Sequence, residues 1–211
     1  MCKRLHNTPA GVQLDCYSTA MNRLLEPWRG PHGGVPPFNE VDIAQFEAAL
    51  DEGMALQLAE VDAIGAATSP ATFENTYAAL ERAGQPLSRA LTLFFVWSSS
   101  RSTPEFRALE EKVSPTLAAF RDRITQHAGL FAKLKAVHDA KPALTPEQQR
   151  LMEVTYTQFV RQGAALDDDK KAALSKLNQQ LATLFTRFAQ NQLADEEEKF
   201  LTIERAEDLG G

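Results

Sequence analysis

Apolar residues recur at three- and four-residue spacing along most of this chain, and breaker residues punctuate them cleanly. Ile43, Phe46, Leu50, Met54, Leu58, Val61 and Ile64 form one such stripe. Polar positions at Glu47, Asp51, Glu52, Glu60 and Asp62 surround it, which predicts an amphipathic helix over residues 42–64. Gly53 sits inside that helix, where it costs up to about 1 kcal/mol of propensity and leaves room for a close crossing. SPAT at 69–72 breaks the pattern. Thr72 is a cap for a helix through FENTYAALERA, Gly84 is its stop, and Pro86 opens the next helix.

That next helix, about 86–100, carries Leu91, Leu93, Phe94, Phe95, Val96 and Trp97 on most sides, and its aromatic residues are expected between other helices. The short run LFFVW also fits a strand by pattern alone; the LSRAL lead-in favours helix. Thr103-Pro104 reads as cap and first helical residue for a stripe of Phe106, Leu109, Val113, Leu117, Phe120 and Ile124. The stripe keeps its phase across Ser114-Pro115, which favours one kinked helix over a restart at the proline. A shorter helix covers 128–140. Thr145-Pro146-Glu147-Gln148 is the clearest start signal, with capping-box spacing, for a helix to Gly163. The last helix starts near Asp167-Asp168-Asp169, whose charges suit a helix N-terminus, and runs to about Asp195. Its stripe of Leu174, Leu177, Leu181, Leu184, Phe185 and Phe188 is expected to be buried.

The fold class is therefore all-α: six to seven antiparallel amphipathic helices. Residues 1–21 read as a leader. Residues 22–40 form an irregular Pro/Gly-rich segment, PWRGPHGGVPPF at its centre, held on the body by Trp28 and Phe38. Residues 41–195 form the helical domain, and 196–211 an acidic end with a short extended stretch at Phe200-Leu201-Thr202-Ile203. No second β-run exists to pair with that stretch, so this end reads as a cut. No repeat of fixed period is present.

Composition narrows the function by exclusion. Apolar content of 44% fits a folded globule, and the net charge of −6 opposes non-specific binding to nucleic acid or anionic membranes. Lys170-Lys171 and Lys133/Lys135 are too sparse for a nucleic-acid footprint. LFFVW is too short to span a bilayer, and the basic start lacks the apolar run of a secretory signal. Cys2 and Cys16 make no disulfide framework, although a short leader disulfide between them stays open. The cytoplasm is the expected compartment.

The candidates for chemistry have simpler readings. The four histidines, His6, His32, His127 and His138, include no HExxH pair. His127 and His138 would stand about 16 Å apart on one ideal helix, too far for a shared metal. They read as surface or helix-end residues, and His32 as a loop residue that could reach substrate in a larger assembly. Asp167–Asp169 and Glu196–Glu198 are consecutive, so their carboxylates diverge; capping or a solvated face explains them. Ser98, Ser99 and Ser100 lie in nothing like GxSxG. No catalytic, cofactor-binding or metal-binding residue is assigned.

Several phrases together carry a resemblance: NRLLEPWRGPHGGVPPF, SPATFENTYAALERAG, LFFVWSSSRSTPEF, LTPEQQRLMEVTYTQFVRQGAALD and LNQQLATLFTRFAQNQLAD. From Asn22 onward the chain resembles the N-terminal helical region of the thimet-oligopeptidase-like zinc metallopeptidases, of the bacterial peptidyl-dipeptidase and oligopeptidase A type. The resemblance implies a much longer, helical enzyme whose deep channel admits short peptides. It implies zinc held by two histidines of an HExxH helix and a downstream glutamate, with the HExxH glutamate as general base. None of those residues maps to a position here. The resemblance thus implies a channel wall or lid, inactive alone, with short oligopeptides as partners of the whole enzyme. A non-enzymatic helical peptide- or protein-binding module is the alternative, and an apolar face left exposed would permit self-association.

Overall fold

The computed structural model of the protein describes residues 22–31, 34–199 and 201–209. Its architecture is all-α, with no sheet among the described residues and a single isolated bridge between Arg29 and Val35. Among the described residues seven α-helices follow one another: α1 (Ile43–Ala66), α2 (Ala79–Arg82), α3 (Gln85–Ser100), α4 (Pro104–Thr125), α5 (Ala128–Ala140), α6 (Pro146–Arg161) and α7 (Asp168–Glu198). One π-helical turn, Glu74–Ala78, leads into α2.

Local signals start and stop these helices as the sequence indicates. Asp42 caps α1 in a full capping box with Gln45, and Thr145 caps α6 in another with Gln148. Thr103 Oγ1 accepts from Phe106 N–H, Asp167 Oδ1 from Lys170 N–H, and Pro104 and Pro146 occupy first turns. Thr72 and Asn75 exchange backbone-to-side-chain bonds at 2.8 and 3.2 Å ahead of the π turn. Gly84 follows α2 at φ 77°, a left-handed conformation that glycine adopts without penalty. Helix α4 runs unbroken through Pro115, as its phase implies.

Two apolar clusters share α1 as a common spine. The first packs Phe46, Leu50 and Met54 against Leu87, Leu93, Phe94 and Trp97 of α3 and against Phe106, Val113 and Phe120 of α4. Phe46 makes edge-on contacts with Phe94, Trp97 and Phe106, at 5.6 to 6.0 Å between centroids. The second gathers Val61, Tyr77, Leu130, Leu134, Val137, Met152 and Phe159. Gly53 is what lets α1 and α3 approach: a Cβ there would stand 3.1 Å from the Leu87 Cα.

In the Pro/Gly-rich segment the deepest anchors are Leu24 and Leu25, which enter the first cluster. Arg89 fixes them by donating two hydrogen bonds, 2.6 and 2.9 Å, to the Leu25 carbonyl. Trp28 is half-buried, and Phe38 is exposed on one face and stacked on Trp97 with the other at 6.2 Å.

Two expectations fail. The run at 93–97 is helical, yet only Leu93, Phe94 and Trp97 are buried, and Phe95 is 50% exposed. The larger correction concerns α7. Leu177, Leu181, Leu184, Phe185 and Phe188 are exposed, the two phenylalanines at 69% each, and no described α7 side chain is buried. The helix turns a polar flank to α4 instead. Residues 201–204 carry no strand, with Leu201 and Ile203 exposed, and Phe200 lies outside the described residues.

Candidate functional site

Each chemically interesting residue is accounted for by local structure first. His127 is the N-cap of α5. Its Nδ1 accepts from Leu130 N–H at 2.9 Å, so the hydrogen of the neutral ring sits on Nε2, which faces Asp62 Oδ1 at 3.1 Å. Both nitrogens are thereby committed to structure. Gly65 makes the pairing of α1 and α5 possible, since a Cβ there would fall 2.4 Å from the imidazole Cε1. His138 ends α5 and lies flat on Tyr156, 4.0 Å between centroids, with Asp139 beside Nδ1.

Asp139 also pairs with Lys135 one turn earlier, which holds its carboxyl below and the lysine above their ordinary values. Asp167 is lowered in the same way by bonds from the Lys170 side chain and backbone. These are exposed pairs, and pairs of that kind add little to stability. Asp168 and Asp169 occupy the first turn of α7, the place their charge favours. Glu196 is exposed at the other end and accepts from Gln192. Ser98 donates to the Glu110 carboxylate, which Gln190 also holds, a hydrogen-bonded tie between α3, α4 and α7. Ser99 bonds the Val96 carbonyl. Tyr77 is the strongly perturbed acid of the fold: burial, then the charges of Tyr156 and Asp139, push its phenol far above the usual value. Its hydroxyl donates to the Leu134 carbonyl at 2.9 Å.

Among the described residues no group of three or more His, Cys, Asp or Glu side chains could hold a metal ion. With His127 capping a helix and His138 stacked on a tyrosine, the described residues do not fit a zinc centre. His6, Cys2, Cys16 and His32 lie outside the described residues. No helix among those described is long and apolar enough to cross a membrane.

One cleft, about 590 Å³, lies against α6 between His138, Arg150, Glu153 and Arg161; two others flank the Pro/Gly-rich segment. On one side a cleft of about 570 Å³ is walled by Arg23, Glu26, Trp28, Arg29, Pro37 and Glu40. The turn behind it needs Gly34, at φ 106°, because a Cβ there would overlap the Trp28 carbonyl at 2.6 Å. On the other side a cleft of about 570 Å³ lies between Phe38, Asn39, Val96, Trp97, Ser100 and Arg101, with the Arg101 guanidinium 5.4 Å from the Trp97 ring. Asn39 borders both. Aromatic faces beside hydrogen-bonding groups and both signs of charge suit an extended peptide, and contain no nucleophile with a base. The sequence signals Trp28 and Phe38 as anchors; it gives no sign that Trp97 and Arg101 join them, because that meeting spans the first core.

Known proteins share this helical body. Residues 52–171 match the family model of the N-terminal domain of neurolysin and thimet oligopeptidase. The chain belongs to that family. It is 34% identical over 192 residues to a dipeptidyl carboxypeptidase of Salmonella typhimurium, covering 90% of this chain and 28% of that protein. The dipeptidyl carboxypeptidase of Escherichia coli is 33% identical over 199 residues, 92% of this chain and 28% of the relative. Oligopeptidase A of Salmonella typhimurium is 23% identical over 161 residues, 75% and 24%. The chain thus spans about a quarter of the length of these relatives.

Proposed function

We propose that this chain is the N-terminal, channel-forming part of a zinc-dependent oligopeptidase of the peptidyl-dipeptidase type, with short peptides as its substrates. The observation that carries the reading is the alignment of nine-tenths of the chain with proteins named dipeptidyl carboxypeptidase. The residues described here provide binding and shape: the clefts around Trp28 and Trp97 form a wall against which a peptide backbone can lie. Zinc, its ligands and the base that activates water belong to polypeptide outside these 211 residues, in keeping with both described histidines being spoken for. The sparse cysteines support the cytoplasm as the compartment.

A hybrid enzyme tests this. Residues 22–199 replace the matching segment of the Salmonella dipeptidyl carboxypeptidase, and release of dipeptides from a quenched-fluorescent peptide is followed. The expected hybrid folds and cleaves. A hybrid that folds, binds zinc and releases nothing contradicts the proposal.

A further inference from the structure

Helix α7 presents the wrong flank to the bundle. Toward α4 it offers Asn178, whose amide donates to Asp122 at 2.8 Å, Thr186, whose hydroxyl meets Ser114 at 2.7 Å, and Gln190, which donates to the Arg107 carbonyl and to Glu110. Its apolar stripe, Leu177, Leu181, Leu184 and Phe188 with Phe185 beside it, lies nearly half a turn away and faces outward. The stripe repeats at alternating three- and four-residue steps, the pattern of a helix packed along its length against another. A lone amphipathic helix docks by its apolar side. One that docks by its polar side has its apolar side committed elsewhere.

Three further observations agree on where. Neither apolar cluster contains a residue of α7, so both cores are complete without it. The match to the N-terminal domain model ends at residue 171, in the first turn of α7, whereas the similarity to the dipeptidyl carboxypeptidases covers 90% of the chain. Those relatives are more than three times the length of the matched segment. Contacts between domains of one chain are more polar than contacts within a domain core.

We infer that α7 is not the closing helix of this bundle but the first core helix of the domain that follows it in the longer relatives. The α4–α7 seam is then a domain–domain interface, and the stripe from Leu177 to Phe188 seats the apolar helical surface of that next domain. This moves the boundary of the N-terminal domain back to the turn at 162–167. It rests on the family reading, not on peptidase activity.

Two measurements test it. Hydrogen exchange on the whole 211-residue chain should show α7 amides exchanging at least about 100-fold faster than those of α1, α3 and α5, as an independent unit. Exchange of α7 together with the bundle overturns the inference. Second, Leu181→Glu with Phe185→Glu is introduced into the chain and into the hybrid enzyme. The isolated chain should melt within 2 °C of its parent, and the hybrid more than 5 °C below its own, roughly the shift that a lost core contact brings. A hybrid indifferent to the substitutions overturns it. So does an isolated chain that dimerises through this face and is dispersed by them, which would make a second copy the occupant. A hybrid that folds without cleaving rejects the functional reading alone, since melting still reports on the stripe. A hybrid that fails to fold counts against the inference.

Discussion

Asn178 of α7 donates its side-chain amide to Asp122 of α4 at 2.8 Å, and among the described residues that amide is the one hydrogen-bond partner of a carboxylate that is almost fully buried. The other oxygen, Oδ2, is buried and has no hydrogen-bond partner. The two helices are thus held at a point where each depends on the other for polar satisfaction, not on shared apolar surface. Replacing Asn178 by Ala removes the donor and leaves the carboxylate without compensation, a cost of about 1–3 kcal/mol. Expected are a faster-exchanging α7 and a melting temperature a few degrees lower, as a cost of that size implies. Hydrogen exchange and circular dichroism measure the two.

Close helix packing at Gly53 gives a prediction of opposite kind, confined to the core. Gly53→Val forces methyl groups onto the Leu87 backbone and the Leu25 side chain, both 3.1 Å from where a Cβ would stand. The first cluster must open, and a loss of about 1–3 kcal/mol is expected. Urea denaturation measures it, with an unchanged m-value as the sign that the fold itself survives.

His127 is a cap, so its replacement should follow capping rules and not those of a catalyst. His127→Ala is expected to cost about 1 kcal/mol. His127→Asn, which supplies an acceptor to the same helix end, should recover most of it. A histidine needed for its imidazole chemistry would not be rescued by asparagine.

Tyr77 links the second cluster to pH. Its folded-state pKa is raised by burial, so the unfolded chain releases the phenolic proton first. The contribution is fully present below the ordinary tyrosine value of about 10 and is lost as pH rises above it. Stability should fall with alkalinity above that point by one proton's dependence. Tyr77→Phe should flatten that part of the profile and cost about 1 kcal/mol at neutral pH for the lost bond to Leu134. Melting temperature against pH, from 8 to 11, compares the two.

The sequence was most legible where structure is local. Caps at Asp42, Thr103, Thr145 and Asp167 stand where side-chain chemistry places them, because a cap is decided within four residues. Helix faces were legible as periodicity, but not what lies opposite. The stripe of α7 is real; its exposure follows from the hydrogen-bonding row opposite it, in which Asn178, Thr186 and Gln190 fit α4 better than leucines would. His127 escaped notice as a cap because histidine is an uncommon one, and its ring is positioned by glycines more than sixty residues away in sequence or next to it in α5. The cleft beside Trp97 depends on a meeting between the N-terminal segment and α3, which no local pattern reports.

The central claim is that these 211 residues supply shape to a peptidase and not its chemistry. Zinc content and turnover of a quenched-fluorescent peptide, measured together on the purified chain, test it most directly. Expected are less than stoichiometric zinc and no turnover, with or without added metal. One tightly held zinc per chain and cleavage abolished by a chelator would contradict it, and would place a catalytic centre within this sequence.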